Sequence, residues 1–419
     1  MLHKSKVVVF AFSLVIVLYA VSAAFYGKVV AKDEAYKELS VFMDALEKIN
    51  KDYVEAPDMS RVQEGAMRGL MEALDPYSTF LSKDQIQQLE KRKAAGNAGV
   101  GMVISKRTDV IYVVATHKGG PADVAGIRPG DYLMIIDGTS VEDKSIIEVE
   151  SLLRGAPDTE LKITVFRNSR TKPVEYSLNR QPDIAVPVGS QMLTGNIGVL
   201  DVSSLADSTV EQARVKLKTL ISAGAQKLVL DLRDCADGPI SDGAELANFF
   251  VREGTLTYLQ NRQGQKVQEI KAESSKFVTD IPLVVLINSS TAGAAEIAAG
   301  ALKDLQRATI VGEKSFGCGS SQKRIALKSG AALILSVAKY YTPSGKLIQD
   351  ETARGAGIKP DVQSPDEDHR QDLLVDAYYD EQQDDTAKYK QLVDIITKEQ
   401  MDKAVEILSR AAVPLKKAA

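Results

Sequence analysis

The chain has few histidines, the side chains that most often act as general bases and commonly bind metals. Only three histidines occur among its 419 residues, and they lie far apart, at His3, His117 and His369. None is close in sequence to the central stretch described below. The pattern therefore supports neither a Ser-His-Asp triad nor a histidine-rich metal site. We predict no bound metal and no other cofactor.

The chain also lacks a strong excess of charge of either sign. Its 52 Lys and Arg residues nearly balance its 56 Asp and Glu residues, which gives a net charge of −4 and an isoelectric point near 5.7. The basic cluster of note, Lys4 and Lys6, lies at the N-terminus. Without a basic surface to neutralise phosphates, the sequence gives no reason to expect a nucleic-acid partner.

A long apolar run does occur at residues 7–26, and it contains no charged side chain. Its length suffices to cross a bilayer, and the two lysines before it favour a signal anchor with the body outside the cytoplasm. Residues Val21–Ala23 resemble a cleavage site, so a removed signal peptide is the alternative. We therefore predict a periplasmic or extracytoplasmic protein, either anchored in the inner membrane or secreted.

The rest of the chain is organised around the stretch Leu283–Gln322. An apolar run, Leu283–Ile287, indicates a buried strand, and it is followed by a polar turn and a small-residue helix pattern over residues 292–305. A short strand and a glycine-punctuated loop come next. The free N–H groups at the start of such a helix can hold a developing negative charge, so the turn is where an α/β hydrolase would keep its nucleophile.

This stretch resembles the C-terminal processing (tail-specific) serine peptidases. In that family the nucleophilic serine lies in a pattern like Asn-x-Gly-Ala/Ser-Ala-Ser-Ala-Ser-Glu, and the lysine base lies in Phe-Gly-Lys-Gly-x-x-Gln. The corresponding segments here are Asn288–Glu296 and Phe316–Gln322. The resemblance places Gly293 at the nucleophile position, Cys318 at the base position and Gln322 at the family's glutamine position. Both catalytic groups are therefore replaced.

A third family motif is also altered. The segment Arg233–Gly238 reads Arg-Asp-Cys-Ala-Asp-Gly, where the family has Arg-Asn-Asn-Pro-Gly-Gly. The two glycines let backbone N–H groups approach the reacting carbonyl as part of an oxyanion hole. Here Gly238 is kept and Asp237 replaces the other glycine. A carboxylate at this position is expected to oppose an oxyanion electrostatically.

Between residues 99 and 180 the pattern changes to short strands with glycine-rich turns. The segments Gly119–Asp131, Ile135–Gly138 and Leu153–Gly155 resemble, in the expected order, a PDZ domain of the kind inserted in bacterial proteases. The resemblance implies binding of protein C-terminal tails. The alternative is a β-rich spacer whose groove is unoccupied.

By the same resemblance, the carboxylate-binding loop of this PDZ domain lies at Gly99, Val100 and Gly101. Glycines there free backbone N–H groups for a terminal carboxylate, and the following strand accepts the peptide by β-augmentation. Met102 and Ile104 would line the pocket for the last side chain of the peptide.

The resemblance covers roughly residues 35–363 and implies an α/β peptidase core of the ClpP/crotonase-like class, with an inserted β-rich PDZ domain and an N-terminal helical segment. In the family such helical segments can mediate homodimer contacts, although plain packing is the alternative. The expected organisation is a signal segment at 1–32, helices at 33–95, the PDZ domain at 96–182, the core at 183–363, and an acidic linker with a C-terminal helix at 364–419.

The resemblance also places the two cysteines at one vestigial cleft, because Cys235 lies in the oxyanion segment and Cys318 lies at the base position. An even cysteine count in an oxidising compartment permits a disulfide. The alternative is two buried, reduced cysteines that pack as small apolar groups.

Three functions follow from these observations. The first is an active serine peptidase that cuts proteins near their C-termini. The second is a catalytically degenerate, membrane-associated relative that binds C-terminal tails or regulates an active protease or adaptor. The third makes Cys318 a thiol nucleophile, which no nearby histidine supports. The simultaneous loss of nucleophile, base and oxyanion glycine favours the second.

Overall fold

The computed structural model describes residues 39–107, 110–167, 172–182, 186–206, 208–349, 356–366 and 386–410. Its helices are α1 (39–52), α2 (Met59–Glu72), α3 (Lys83–Ala95), α4 (Pro121–Ala125), α5 (Ile146–Leu153), α6 (Thr209–Ser222), α7 (Ile240–Asn248), α8 (Ala294–Asp304) and α9 (Thr386–Arg410), with a short 3₁₀ turn at Ser274–Lys276.

The strands, in chain order, are β1 (Thr79–Leu81), β2 (Met102–Arg107), β3 (Val110–Thr116), β4 (Tyr132–Ile136), β5 (Thr139–Ser140), β6 (Glu160–Phe166), β7 (Val174–Asn179), β8 (Gly189–Leu193), β9 (Ile197–Asp201), β10 (Lys227–Asp231), β11 (Thr255–Asn261), β12 (Lys266–Lys271), β13 (Leu283–Ile287), β14 (Thr309–Gly312), β15 (Ser320–Ala326), β16 (Ala332–Tyr341) and β17 (Val362–Gln363).

The chain divides into two compact units, residues 1–69 and residues 70–419. In the first unit, helix α1 carries apolar side chains at helical spacing, and these are substantially exposed, for example Leu39 at 51% and Met43 at 57%. The predicted homodimer role of this segment stays a prediction. The apolar run at residues 7–26 lies outside the described residues, and within the described part of the chain no helix is long and apolar enough to cross a membrane.

In the second unit, strands β2 to β7 form an antiparallel sheet in the order β2-β3-β4-β6-β7, with β5 paired to β4. Alternate side chains of these strands point into one small core that includes Ile111, Val113, Leu161 and Ile163. This alternation is expected for strands that are buried on one face only. Helices α4 and α5 lie between the strands in the sequence, and α5 packs against β2.

The central sheet has the order β17-β14-β13-β10-β9-β8, and every pairing is parallel except that of β8 with β9. In β13, Leu283, Val285 and Ile287 belong to the core shared with α6, α7 and α8. Val284 and Leu286 face the opposite way, into a core that contains Ala404 and Leu408 of α9. A parallel sheet covered on both faces is expected from such a continuous apolar run.

Helix α9 is also tied to the central sheet by polar contacts. Arg233, just after β10, donates from Nη1 to the Thr397 carbonyl at 2.9 Å and to Gln400 Oε1 at 3.0 Å. The Arg233 guanidinium also pairs with the carboxylate of Asp231. The C-terminal helix therefore supports the segment that leads into the predicted oxyanion loop.

The third sheet is antiparallel, with the order β1-β16-β11-β12 and β15 paired to β16. Strand β13 has the bounds that the sequence predicts. The helix predicted over 292–305 is shorter at both ends, because Gly293 adopts a non-helical conformation before α8. Strand β9 begins at Ile197, since residues 194–196 before it form a turn.

Candidate functional site

The turn between β13 and α8 is fixed by hydrogen bonds to the loop that follows β10. Asn288 and Asp234 exchange two bonds: Asp234 N–H donates to Asn288 Oδ1 at 3.0 Å, and Asn288 Nδ2 donates to Asp234 Oδ1 at 2.8 Å. The Thr291 hydroxyl donates to the Leu232 carbonyl at 2.8 Å. Ala292 N–H donates to the Cys235 carbonyl at 2.9 Å. The predicted nucleophile turn and the predicted oxyanion loop are therefore adjacent.

Gly293 precedes the first residue of α8 and has φ 56° and ψ −113°. This is a sparsely populated backbone conformation that costs a residue with a side chain of the order of 1–3 kcal/mol. A Cβ added at Gly293 would meet no heavy atom within 4 Å. The nucleophile position therefore keeps a special backbone conformation and open space for a side chain that the residue does not have.

Glu296 is the buried centre of the site, with 0% of its side chain exposed. Its Oε2 accepts from Gly293 N–H at 3.0 Å and Cys318 N–H at 2.7 Å. Its Oε1 accepts from the Ser315 hydroxyl at 2.5 Å and Gly317 N–H at 2.7 Å. Burial raises the pKa of this carboxyl to about 7, although the donors act in the opposite direction. One carboxylate thus joins the nucleophile position to the base position.

The role of Glu296 was missing from the sequence analysis, where it appeared only as the last residue of a motif. The available signal was its place in the third residue of the helix, where a glutamate side chain commonly accepts from the N–H of the residue before the helix.

Cys318 is at the base position, and its thiol forms a hydrogen bond with the Tyr77 hydroxyl. Burial and the nearby Glu296 carboxylate raise the pKa of the Cys318 thiol to about 11. Burial also raises the pKa of Tyr77. The thiol is therefore protonated at neutral pH, so it is neither an amine base nor a thiolate nucleophile.

The Tyr77 turn is held by Asp75. The Asp75 carboxylate accepts from Tyr77 N–H and Ser78 N–H, both at 2.8 Å, and from the Ser78 hydroxyl at 2.7 Å. It also accepts from the Ser336 hydroxyl of β16 at 3.1 Å. The segment Leu74–Ser78 therefore positions a tyrosine beside the base position.

The two cysteines are free thiols in this structure. Cys235 is fully buried in the main core, whereas the Cys318 thiol meets Tyr77. The disulfide that the sequence left as one of two possibilities is not present in the structure, and of the two reduced cysteines only Cys235 is buried.

In the predicted oxyanion loop, Gly238 has φ 94°, and a Cβ there would lie 2.3 Å from the backbone of Leu205. Only glycine fits this position. Among the described residues, the N–H groups of Gly238 and Ala294 have no hydrogen-bond acceptor. These are donors of the kind that an oxyanion hole requires.

Asp237 directs its carboxylate toward three donors. Its Oδ2 accepts from the Ser204 hydroxyl at 2.9 Å, its Oδ1 accepts from Leu205 N–H at 3.1 Å, and His117 Nε2 lies 3.1 Å from Oδ2. Burial alone would raise the pKa of Asp237, but these partners outweigh it and the pKa lies below its ordinary value. The residue that replaces the family's glycine is therefore an ionised, fully engaged carboxylate.

His117 lies in the loop after β3, and although it is far from the central stretch in sequence, the fold brings it to Asp237. Two further contacts join the same sheet to the site. The Tyr112 and Phe316 rings lie 6.1 Å apart, and the Tyr77 and Ser105 hydroxyl oxygens lie 3.3 Å apart. Sequence separation hid these contacts.

Only part of the predicted carboxylate-binding loop has N–H groups that are free to bind a carboxylate. Gly99 N–H already donates to the Gln181 carbonyl at 2.8 Å, so it is not a free donor as expected. The N–H groups of Val100 and Gly101 have no hydrogen-bond acceptor among the described residues. Ile104 is buried in the small core and Met102 packs at its edge.

The remaining predicted residue, Gln322, lies on β15, which pairs with β16 in the third sheet. Its Nε2 donates to the Ser320 hydroxyl at 2.7 Å and to the Ser336 hydroxyl at 3.4 Å. The described residues contain no group of three or more His, Cys, Asp or Glu side chains that could hold a metal ion.

Comparisons with known proteins agree with this architecture. The model of peptidase family S41 matches residues 196–364, and a PDZ domain model matches residues 112–167. A carboxy-terminal-processing protease of Bartonella bacilliformis is 32% identical over 335 residues, which are 79% of this chain and 76% of the relative. The chain belongs to the carboxy-terminal processing protease family. The carboxy-terminal processing protease CtpA of Bacillus subtilis is 31% identical over 335 residues, covering 80% of this chain and 70% of the relative.

A solved structure of a photosystem II D1 C-terminal processing protease is similar to this family member, with a TM-score of 0.63 and 28% sequence identity. The similarity covers 77% of this chain and 92% of that structure. The protein therefore has the S41 peptidase fold, a mixture of helices and sheets, together with a PDZ domain.

Proposed function

We propose that this carboxy-terminal processing protease relative is catalytically degenerate and binds protein C-terminal tails through its PDZ domain. The proposal rests on Gly293 and Cys318, whose N–H groups both donate to Glu296. Gly293 offers no nucleophilic side chain, and the Cys318 thiol stays protonated because its pKa is about 11. Acyl transfer in this family requires a hydroxyl nucleophile and a basic partner.

Neighbouring hydroxyls and amines are poor substitutes. Ser290 and Thr291 are buried, and the Thr291 hydroxyl is occupied by the Leu232 carbonyl. Lys314 is exposed rather than buried beside Gly293. Misplacement of a catalytic group by about 1 Å costs roughly a hundredfold in rate, so none of these groups is expected to support peptide cleavage.

A second candidate is an active endopeptidase with a non-standard site. The backbone conformation of Gly293 and the open space beside it favour this candidate, because the scaffold of a nucleophile is kept. The same observation makes the proposal testable by restoring the missing groups.

The decisive experiment compares three proteins on an unstructured protein substrate: the unmodified chain, the variant Gly293→Ser/Cys318→Lys/Asp237→Gly, and a matched Gly293→Ala/Cys318→Lys/Asp237→Gly control. We expect cleavage by the serine variant alone, since the third substitution also restores the oxyanion glycine. Cleavage by the unmodified chain that a serine-directed inhibitor abolishes would contradict the proposal, whereas equal activity in the alanine control would reveal a contaminating protease.

The tail-binding half of the proposal rests on Val100 and Gly101, whose N–H groups lack acceptors, and on the adjoining strand β2. Peptides with an apolar last residue should bind through their terminal carboxylate, since ionised acceptors strengthen such bonds. Binding of matched acid and amide peptides can be compared by calorimetry. We expect the amide to bind at least tenfold more weakly, and equal affinities would show that the groove is not used in this way.

The proposed setting is extracytoplasmic, with residues 1–32 as a signal anchor or signal peptide. Client tails, or an active protease or adaptor, are the proposed partners, and residues 33–95, 96–182, 183–363 and 364–419 are the proposed modules. Intact mass of the mature N-terminus separates the anchored from the secreted form.

A further inference from the structure

The contact between His117 and Asp237 joins two modules that each have their own core. The His117 Nε2 and Asp237 Oδ2 atoms are 3.1 Å apart, and the two side chains are only 23% and 16% exposed. Partial burial strengthens such a pair relative to one on the open surface.

Both partners are held in place by their own loops. His117 N–H donates to the Gly101 carbonyl at 2.8 Å, and its carbonyl accepts from Gly120 N–H at 2.8 Å. Asp237 is held by the Ser204 hydroxyl and Leu205 N–H. The pair therefore connects two preformed loops, and forming it orders little additional chain.

The surrounding charges are mostly negative. Around the pair, the core contributes the carboxylates of Asp201, Asp231 and Asp234 and the guanidinium of Arg233, while the loop of His117 contributes Lys118 and Asp123. Lys118 interacts with Asp201, and Asp123 interacts with Asp234. Carboxylates therefore outnumber cationic groups in the surroundings of the pair.

We propose that the His117–Asp237 pair is a pH-dependent latch that holds the PDZ domain against the Arg233–Gly238 loop. Histidine changes its charge between about pH 5 and 8. The imidazolium attracts the Asp237 carboxylate across 3.1 Å, and a neutral imidazole loses this charge attraction. The latch is therefore tight at the acidic end of this range and weaker at the alkaline end.

The aromatic contact between Tyr112 and Phe316 does not change with pH in this range, so the latch adjusts the contact between modules rather than creating it. Weakening the latch removes one restraint on the loop that carries Gly238. It also removes one restraint on His117, whose N–H group contacts Gly101 of the carboxylate loop. The inference does not depend on tail binding, because it concerns only the contact between the two modules.

Hydrogen exchange of the full chain tests the latch. Protection factors, which remove the intrinsic pH dependence of exchange, are measured at pH 6 and pH 8 for fragments covering residues 99–101, 117–120 and 232–238. In the unmodified chain we expect protection to fall about fivefold at pH 8, the scale of a partly exposed ion pair.

His117→Gln keeps a polar side chain without a charge, and His117→Lys keeps a charge at both pH values. Because Glu296 also titrates in this range, with a pKa of about 7, the two His117 variants are compared with each other at the same pH. We expect His117→Gln to be about fivefold less protected than His117→Lys at both pH values, while His369→Gln should behave like the unmodified chain. Circular dichroism confirms that each variant is folded. An unmodified pH response in both His117 variants, or no response in the unmodified chain, would overturn the latch.

Discussion

Replacing Glu296 by glutamine should change the pH dependence of stability in a predictable direction. The folded-state pKa of Glu296 is raised to about 7 from an ordinary value of 4.5. Between these two values the unfolded chain has lost the proton while the folded chain still holds it. The stabilising contribution of the protonated carboxyl is therefore fully present below about pH 4.5 and is lost as the pH rises through about 7.

The size of this effect follows from the difference between the two pKa values. Each unit corresponds to about 1.36 kcal/mol, so the rise to about 7 represents about 3 kcal/mol. The amide of Glu296→Gln does not titrate. Its own cost, which comes from placing an NH₂ donor against one of the N–H groups at Gly293, Gly317 or Cys318, is about 1–3 kcal/mol and independent of pH.

The assay is urea unfolding of the unmodified chain and the variant between pH 4.5 and pH 8. The free energy of unfolding of the unmodified chain, relative to that of Glu296→Gln, should fall by about 3 kcal/mol across this window. A matched Glu253→Gln variant at an exposed position should show a difference within about 0.5 kcal/mol throughout. A constant difference for Glu296→Gln would refute the reasoning, because it would mean that burial does not hold a proton on this carboxyl.

Three other outcomes are expected. Gly238→Ala should lower the free energy of unfolding by more than about 3 kcal/mol, because its Cβ would lie 2.3 Å from a backbone carbonyl. Gly293→Ala, which has open space for its Cβ, should cost about 1–3 kcal/mol for its backbone conformation alone, and a larger loss for Gly293→Ala than for Gly238→Ala in urea unfolding would contradict this. Alkylation of Cys318 at pH 8 should be slower than that of free cysteine by more than about a hundredfold, since its pKa is about 11. Denaturation without reductant should expose both thiols, and the absence of both would indicate a disulfide. Arg233→Ala should cost about 3–5 kcal/mol because it leaves a carboxylate unpaired, while Arg262→Ala, at an exposed position, should stay within about 0.5 kcal/mol.

Local patterns were sufficient to predict the scaffold. The apolar run Leu283–Ile287 and the small residues after it specify a buried strand and a close-packed helix, and the glycine-rich turns specify the PDZ sheet. The motifs also placed Gly293, Cys318 and Asp237 near one another. These properties depend on residues that are neighbours in the sequence or that share a strand–turn–helix unit.

The side-chain interactions within the site could not be predicted from the sequence. Glu296 receives hydrogen bonds from a loop some twenty residues later, and no periodicity reports such a partnership. The His117–Asp237 contact requires one module to pack on another, which follows from the tertiary arrangement of two separate cores. The Gly99 N–H group was predicted to be free, but a bridge to Gln181 occupies it.

The attachment of Arg233 to helix α9 has a consequence for the order of events during synthesis. The partners Thr397 and Gln400 follow Arg233 in the chain by 164 and 167 residues. Contacts across such separations form late, because the closure of a long loop must precede them. Until α9 has emerged from the ribosome, one apolar face of the central sheet of the nascent chain is uncovered. The loop that carries Gly238 therefore reaches its final support only after the chain has been synthesised through Gln400.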